Sequence, residues 1–354
     1  MRTIRWRGCA SVLVGLGLIA GNVGCGSVTA AKDGGAGNGG SGVGGSAAGT
    51  GGASGGTGGV ATGGAGTGGA GGGGGGTGGA PAACDVTRPF GTPVLVAGLN
   101  GATGTDDGTA RLSADELTAT FYSDRASYQI YTATRASRTA AFSTPQVIGG
   151  TGITSGAGGV FKFPTMTADG LTLFFESDPG GVFKVMIATR TTVAAQFSTA
   201  APVANINAGA GDSEPFVLPD GKALYFMSTR NNGSSTSDIY RAARDASGQY
   251  TAPAPVSTNF VTPPANEYAP VVTPDELVLY FASDRTPNKG QWDIWMTKRA
   301  SLDAPFDPPV NVQELNTTTN EIPDWISPDR CRLYFDRLGT TAGGDKIYVA
   351  ERAP

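Results

Sequence analysis

The sequence predicts an all-β fold, a five-bladed β-propeller built of four-stranded antiparallel blades, with a six-bladed ring as the alternative. One sequence unit recurs five times at a spacing of 51 to 55 residues, and each copy contains short apolar runs bounded by turn residues. The units are aligned on their turn aspartates, Asp115, Asp169, Asp220, Asp275 and Asp329. The predicted strands also form five complete blades only if the first strand joins the last blade, as closure of a ring requires.

Residues 1–24 have the organisation of a signal peptide of the lipoprotein type. Three arginines among the first seven residues precede an apolar run at residues 10–20, which is too short to remain as a membrane-spanning helix. The following Asn22-Val23-Gly24-Cys25 resembles a bacterial lipobox, which implies lipidation of Cys25. Cleavage after Ala30 is the alternative. We therefore expect an exported lipoprotein anchored to the outer membrane by its lipid alone, facing the periplasm or the cell surface.

Residues 25–83 are predicted to form a disordered Gly-rich linker. Between Asp33 and Asp85 there is no charged residue, and Gly is accompanied mainly by Ala, Thr and Ser. Such a segment stays disordered because it has too little apolar surface to bury. A flexible tether of about 50 residues would span roughly 40 Å, enough to hold a folded domain away from a membrane surface.

Residues 84–354 are predicted to form the propeller, and each unit supplies four kinds of strand. An apolar innermost strand precedes the turn Asp, and a second strand follows it, as in Leu224-Tyr225-Phe226. The third strand contains an Ile-Tyr pair and ends in Arg, as in Ile239-Tyr240 and Arg244. The outer strand has an aromatic residue followed by Pro-Val or a similar pair, as between Tyr250 and Val256.

The strand count predicts how the ring closes. There are five innermost strands and five middle pairs, but only four outer strands follow them. Residues 90–94 would supply the missing outer strand of the last blade. Cys84 lies just before this segment and Cys331 begins the second strand of the same blade. We hypothesise a disulfide between them, with two separate thiols as the alternative.

Two segments, Leu218 to Tyr240 and Thr273 to Trp295, resemble the WD40-like propeller repeat of the Pro-Asp-Gly type, known as PD40. This repeat occurs in the TolB-like propellers of bacterial envelope lipoproteins, and the resemblance covers about residues 107–354. It implies a propeller that binds or scaffolds other proteins. TolB-like proteins usually have six such blades, whereas five units are counted here, so only the fold is carried over.

An acidic residue stands eight positions before the turn Asp in four of the five units, and Phe161 takes its place in the other. The acids are Asp107, Asp212, Glu267 and Glu321. At the start of the innermost strands they should surround one mouth of the central channel, where they could bind a cation or a basic peptide. They could instead pair with Arg125, Arg230 and Arg285. Their regular recurrence favours this architectural role.

Two further sets of residues are interpreted as architecture. The turn Asp and the Arg that ends the third strand are expected to form a charge-assisted pair in each blade. Three tryptophans in the last two units, Trp292, Trp295 and Trp325, are expected to pack between blades, with stacking on a sugar or peptide as the alternative.

Composition restricts the possible functions. The 25 Lys and Arg residues against 29 Asp and Glu give a net charge of −4, and no basic stripe points to nucleic acid. The chain contains no His, the commonest general base and zinc ligand. Neither a cofactor nor a metal is expected.

The predicted function is a non-enzymatic protein-binding or scaffold module at the bacterial cell envelope. Its partner would be an envelope protein or peptide, or a glycan. One alternative is a carbohydrate-active enzyme, a glycosidase that uses carboxylates of the channel. The other is a purely structural surface protein.

Overall fold

The computed structural model describes residues 84–354 except 151–152, 154–160, 179–180, 208–210, 231–235, 257–264 and 340–342. The expected signal peptide, the linker and Cys25 lie outside the described residues. Within the described ranges the regular secondary structure consists of twenty β-strands. This part of the chain has no helix long and apolar enough to cross a membrane.

The strands follow one another in five groups after β1 (Val94–Leu95). The first blade contains β2 (Asp107–Leu112), β3 (Thr118–Ser123), β4 (Gln129–Thr134) and β5 (Gln146–Val147). The second contains β6 (Phe161–Met166), β7 (Thr172–Ser177), β8 (Lys184–Thr189) and β9 (Ala201–Pro202). The third contains β10 (Asp212–Val217), β11 (Ala223–Ser228), β12 (Asp238–Ala243) and β13 (Ala254–Pro255). The fourth contains β14 (Glu267–Val272), β15 (Val278–Ser283), β16 (Asp293–Lys298) and β17 (Val310–Asn311). The fifth contains β18 (Asn320–Ile326), β19 (Arg332–Leu338) and β20 (Lys346–Glu351).

The five sheets form a closed ring of five blades, which confirms the predicted fold class and excludes the six-bladed alternative for the described residues. Neighbouring strands of each sheet are antiparallel and follow chain order in the first four blades. The innermost strand of each blade contacts that of the next, and β18 of the fifth blade contacts β2 of the first. The innermost strands therefore surround a common axis.

The last blade takes its outer strand from the beginning of the domain, as the strand count predicted. β1 pairs with β20, so that Val94 lies opposite Val349 and Leu95 opposite Tyr348. A further bridge joins Phe90 to Arg352. With β1 as its outer strand, the fifth sheet has four strands like the other blades, and the ring is closed.

The second strand of each blade forms the core because its neighbours cover both of its faces. The five recurrent phenylalanines at its centre are 0% exposed: Phe121, Phe175, Phe226, Phe281 and Phe335. Each such burial stabilises the fold by about 1.5 to 3 kcal/mol. Outer strands, by contrast, are two residues long and leave side chains such as Val310 exposed.

Every innermost strand contains a β-bulge, visible as a register shift against the second strand. In four blades the bulge holds a non-Gly residue in the left-handed region, at Thr109, Phe163, Glu214 and Ala269, with φ between 48° and 55°. In the fifth blade the shift lies between Pro323 and Trp325, and Asp324 occupies it. Bulges redirect side chains, and this one brings Glu214 and Asp324 into the interior around the axis.

The turn after each innermost strand is stabilised by its own aspartate. In the first blade the Asp115 carboxylate accepts hydrogen bonds from Leu117 N at 2.9 Å and Ser113 Oγ at 2.6 Å. The expected pairing of this aspartate with the Arg at the end of the third strand is wrong. Arg135 Nε donates instead to the turn carbonyl Glu116 O at 2.7 Å, while its guanidinium stacks on Phe142.

The seam between the fifth and first blades has covalent and ionic links in addition to β1. Cys84 and Cys331 form a disulfide in the structure, across a sequence separation of 247 residues. Glu116 of the first blade accepts hydrogen bonds from two residues of β19, Arg332 Nε at 2.8 Å and Tyr334 Oη at 2.8 Å. These contacts join the two ends of the domain.

Candidate functional site

The four acids that were expected at a channel mouth are buried, with exposures of 0 to 1%. Each pairs with an arginine of the same blade: Asp107 with Arg125, Asp212 with Arg230, Glu267 with Arg285, and Glu321 with Arg337. In the first blade Asp107 Oδ1 lies 2.6 Å from Arg125 Nη2, whose guanidinium also stacks on Phe121 and Tyr131.

This pairing is the architectural role that the regular recurrence of the acids favoured. Their carboxylates are sequestered by arginine and by burial, so they do not form an exposed ring of ligands. In the second blade, which lacks the acid, Phe161 packs on Phe175 with 5.8 Å between the ring centroids. The binding interpretation of the four acids therefore finds no support in the geometry.

The three tryptophans are also buried. The ring contacts of Trp292 and Trp325 lie within their own blades, and Trp292 additionally shares an apolar cluster with Ile322 of the next blade. Trp292 meets Tyr268 edge to face at 4.3 Å between centroids, and Trp325 meets Tyr334 at 5.8 Å. Trp325 also lines a cavity.

A second group of charged residues lies at the axis and was not anticipated from the sequence. It consists of Arg111, Glu176, Glu214, Asp324 and Asp336, all buried, and is called here the axial cluster. The Arg111 guanidinium stacks on the Phe216 ring at 4.7 Å. Asp336 Oδ2 accepts a hydrogen bond from Thr109 N at 2.8 Å, and Glu214 Oε2 accepts one from Ala269 N at 2.5 Å.

Several polar atoms of the axial cluster have no hydrogen-bond partner among the described residues. They are the three guanidinium nitrogens of Arg111. The carboxyl groups of Asp324 and Asp336, by contrast, hydrogen-bond each other when Asp336 is protonated. Orphaned buried polar atoms are rare in folded proteins, and each calls for a physical explanation such as a bound guest.

Burial controls the charge of this cluster. It raises the pKa of Glu214 to about 8, and the charge of Glu176 acts in the same direction. Burial also raises the pKa of Asp324 to about 7 and that of Asp336 well above its usual value, with Asp324 adding repulsion to the latter. The pKa of Arg111 falls to about 10 for the same reason. Near neutral pH a substantial share of the Glu214 and Asp324 carboxyl groups is therefore protonated, while Arg111 remains charged.

The cluster continues towards the first blade through aromatic and acidic side chains. Burial raises the pKa of Asp345 to about 6, and the Asp106 charge adds to the effect. The Lys162 ammonium lies 5.0 Å from the centre of the Tyr122 ring. Gly108 leaves the necessary space, because a Cβ there would lie 2.3 Å from Asp336 Oδ2 and 2.5 Å from Tyr122 Oη.

A pocket of about 580 Å³ opens on the face of the ring that bears the turn aspartates, and it is called here the turn-face pocket. Arg111 of the axial cluster is among its lining residues. Its apolar lining includes Ile148, Met166, Phe216, Val272 and Trp325. Its hydroxyl lining comes from Thr118, Thr120, Thr132, Thr165 and Thr167.

Two acidic side chains, Asp115 and Asp169, also line the turn-face pocket. Hydrogen bonds from Ser113 Oγ and Leu117 N lower the pKa of Asp115, and those from Thr167 Oγ1 and Leu171 N lower the pKa of Asp169. Both groups are therefore ionised at neutral pH and occupied by their own turns, which leaves neither as a proton donor.

The sequence contains a signal for the axial cluster, namely charged residues at positions that are predicted to be buried. The second strand of each unit was predicted to be buried on both faces, yet the residue after its central Phe is Glu176 in the second unit and Asp336 in the fifth. Arg111 likewise stands where the third unit has Phe216. Charged residues at positions predicted to be buried indicate an internal polar site.

The described residues contain no group of three or more Cys, Asp or Glu that could hold a metal ion. The unpartnered nitrogens of Arg111 are hydrogen-bond donors, which also differs from an all-acceptor cation cage.

Comparisons with known proteins bear on the fold. No protein-family model matches the chain, and no curated protein sequence matches it. Among solved structures, an endo-arabinase from Bacteroides thetaiotaomicron is similar at 12% identity and a TM-score of 0.51, over 74% of this chain and 98% of that one. A glycoside hydrolase is similar at 8% identity and a TM-score of 0.52, over 73% and 91% of the two chains. TolB from Acinetobacter baumannii shares 14% identity at a TM-score of 0.45, and the match covers 70% of this chain and 55% of TolB. At such identities the similarity concerns the propeller fold alone.

Proposed function

We propose that the chain is a non-enzymatic binding module whose turn-face pocket receives a segment of a protein of the bacterial cell envelope. The size and lining of this pocket are the main observations that support the proposal. Its volume of about 580 Å³ falls within the range of about 300 to 1,000 Å³ typical of ligand sites. All five blades contribute to it, since its lining includes Arg111, Met166, Phe216, Val272 and Trp325.

The lining favours a peptide as the ligand. Phe216, Trp325 and Met166 offer apolar and aromatic surface for a side chain, and the threonine hydroxyls can hydrogen-bond a peptide backbone. Recognition sites for peptides combine an apolar pocket with a few polar groups in this way. A propeller with such a pocket on one face suits a protein that holds a partner in place.

The distribution of carboxyl groups argues for binding rather than hydrolysis. A glycosidase needs one protonated and one ionised carboxyl group on either side of its substrate. In the turn-face pocket Asp115 and Asp169 both have a lowered pKa and are hydrogen-bonded in their turns. The carboxyl groups with a raised pKa, such as Glu214, are buried at the axis.

The disulfide between Cys84 and Cys331 supports the proposed location. Such bonds persist in oxidising compartments and are rare where thiols are kept reduced. Together with the signal-like residues 1–24 and Cys25, this favours an exported chain that is attached to the envelope by a lipid.

Site-specific crosslinking tests the proposal. A photoreactive phenylalanine replaces Val193, which lines the pocket and is 65% exposed, or Val310, which lies on an outer strand and is 61% exposed. In envelopes of the producing bacterium we expect Val193 to yield a crosslink to one defined protein and Val310 to yield none. Equal crosslinking at both positions, or none at Val193, contradicts the proposal and favours a structural role without a discrete ligand.

A pair of blocking variants provides the control for this experiment. Ala168 is exposed at the pocket, so Ala168→Trp should obstruct the entrance and abolish the Val193 crosslink. Ala136 is also exposed but does not line the pocket, and Ala136→Trp should leave the crosslink unchanged. A crosslink that survives Ala168→Trp would place the partner elsewhere.

A glycosidase is the second candidate, favoured by the unequal axial carboxyl groups with raised pKa, Glu214 and Asp324. Its test is the release of reducing sugar from a panel of polysaccharides by the full chain. Release that is lost in Glu214→Gln and kept in Asp303→Asn, an exposed control, would establish this activity in place of simple binding.

A further inference from the structure

Arg111 is the most unusual side chain in contact with the turn-face pocket. It is 5% exposed, and none of its three guanidinium nitrogens has a hydrogen-bond partner among the described residues. The arginines paired with the four recurrent acids, by contrast, each have a carboxylate within hydrogen-bonding distance, as Arg125 has Asp107. A buried guanidinium without an acceptor is unfavourable, so an ordered water or a guest must supply one.

The surroundings of Arg111 leave a place for negative charge. Its acidic neighbours are Glu214, Asp324 and Asp336, and burial keeps much of this set protonated near neutral pH. None of these carboxyl groups hydrogen-bonds the Arg111 guanidinium, so its donors are available to a further acceptor. A carboxylate would supply two acceptor oxygens in the planar geometry that guanidinium prefers.

The shape of the pocket restricts which carboxylate can reach it. Arg111 is almost completely enclosed and stacks on Phe216, while Trp325 and Met166 form apolar parts of the lining. A carboxylate at the narrow end of a ligand can approach such a group, whereas one on a broad folded surface cannot. The adjoining apolar lining suits the side chain of a terminal residue.

We infer that the turn-face pocket recognises the free C-terminal carboxylate of a peptide, with Arg111 as its ion-pair partner. This inference rests on the proposed function and specifies its ligand. Thr120, which lies opposite Arg111 in the pairing of β2 with β3 and also lines the pocket, is placed to add a hydroxyl to the same group.

Two probes that differ only at the terminus test this inference. Binding of N-acetyl-leucyl-phenylalanine and of its C-terminal amide to the full chain is measured by titration calorimetry. We expect the acid to bind about tenfold more tightly, the discrimination that loss of one charge-assisted contact produces. Equal affinities of acid and amide, or no binding of the acid at millimolar concentration, overturn the inference.

Variants assign the effect to Arg111. Arg111→Gln should reduce the ratio of acid to amide affinity to about one, while Arg111→Lys should retain part of it because the charge remains. Lys298→Gln removes an exposed cation of β16 that does not line the pocket, and it should leave the ratio unchanged. A ratio that persists in Arg111→Gln overturns the inference.

A spectroscopic readout covers the case in which Arg111→Gln does not fold. In the wild-type chain, 3-phenylpropionate should shift the Nε–Hε resonance of Arg111 and 3-phenylpropionamide should not; an unshifted resonance counts against the inference. Glucuronate serves as a sugar acid in the same titration, and tighter binding of glucuronate than of the peptide acid would exclude a peptide terminus.

The two proposals can fail separately. A Val193 crosslink that occurs with equal acid and amide binding retains the protein-binding role and rejects the carboxylate. Preference for the acid without any Val193 crosslink retains the carboxylate site and rejects the envelope-protein partner.

Discussion

At the scale of single residues, two glutamates each connect their blade to the adjacent blade. Glu116 of the first blade accepts hydrogen bonds from Arg332 and Tyr334 of the fifth. Glu276 of the fourth blade accepts a bond from Arg241 Nε of the third at 2.6 Å and pairs with the hydroxyl of Tyr225 at 2.5 Å. Both glutamates follow a turn Asp and have a positive φ, of 65° and 57°. The turn thus directs a carboxylate towards the adjacent blade.

Loss of the Glu116 carboxylate should weaken the seam between the fifth and first blades. Glu116 is 2% exposed, and the side chain of its partner Arg332 is 13% exposed. Glu116→Gln leaves that guanidinium without its main counter-charge, so we expect the free energy of unfolding to fall by roughly 3 kcal/mol. Urea denaturation measures the change. Asp303→Asn, an exposed substitution, is the control, and an equally small effect of both variants would contradict the role of Glu116.

Stability should also depend on pH through the axial cluster. The folded chain raises the pKa of Asp324 to about 7, above its value of about 4 in an unfolded chain. Between these values the folded state binds more protons, so the free energy of unfolding should decrease as the pH rises from 5 to 8.

Asp324→Asn removes one titrating group from this cluster. We expect the variant to lose less stability than the wild type between pH 5 and pH 8, by roughly 1 to 3 kcal/mol. Urea denaturation across this pH range gives the slope. A slope as steep in Asp324→Asn as in the wild type would show that Asp324 is not responsible.

The sequence predicted single residues well where a repeat recurs and poorly where a repeat is broken. The acids at Asp107, Asp212, Glu267 and Glu321 were found because they recur in register, and pairing with arginine was the favoured alternative. The axial cluster escaped because its members occupy different positions in different units. Only the bulges and the ring bring them together, and neither can be read from one unit.

At the scale of the secondary-structure element, the innermost strands combine two conflicting demands. They pair with the second strand, yet each contains a bulge, and in four of the five blades this bulge holds a residue in the left-handed region. Such a conformation costs a non-Gly residue about 1 to 2 kcal/mol. The strand order was predictable from apolar runs and turns, but the bulge was not, because Thr109, Phe163, Glu214 and Ala269 share no residue type.

Replacement of Ala269 by glycine tests the strain in the bulge. Ala269 has a φ of 48° in β14 and Ala282 lies in the neighbouring β15, and both are buried. Each Ala→Gly change removes one buried methyl group, but only Ala269→Gly also relieves the left-handed backbone. We therefore expect Ala269→Gly to be more stable than Ala282→Gly by about 1 to 2 kcal/mol. Thermal unfolding of the two variants gives the difference, and equal stabilities would argue against strain at residue 269.

At the scale of the whole molecule, one junction of the ring differs from the other four. Four junctions join blades that are consecutive in the chain, whereas the junction of the fifth and first blades must be made by distant residues. That junction has β1, the disulfide and the Glu116 contacts. The number of predicted strands was enough to predict that β1 joins the fifth blade. That blade lacks an outer strand of its own, and the segment before the first blade is the one that can supply it.

Removal of the disulfide should loosen this seam and destabilise the domain. The bond spans 247 residues, and its loss in Cys84→Ser/Cys331→Ser should lower the free energy of unfolding by about 2 to 5 kcal/mol. Guanidinium denaturation with and without a reductant measures the effect. The wild type should respond to the reductant and the double variant should not. An unchanged midpoint in the reduced wild type would mean that β1 and Glu116 suffice.

The pairing of β1 with β20 has a consequence for the time at which the domain can form. β1 is synthesised before the first blade, but its partner ends at Glu351, about 250 residues later. At a synthesis rate of about 5 to 20 residues per second, these two strands leave the ribosome roughly 10 to 50 s apart. The ring therefore cannot close before β20 has been made, and a chain that stops before β20 leaves β1 without a partner.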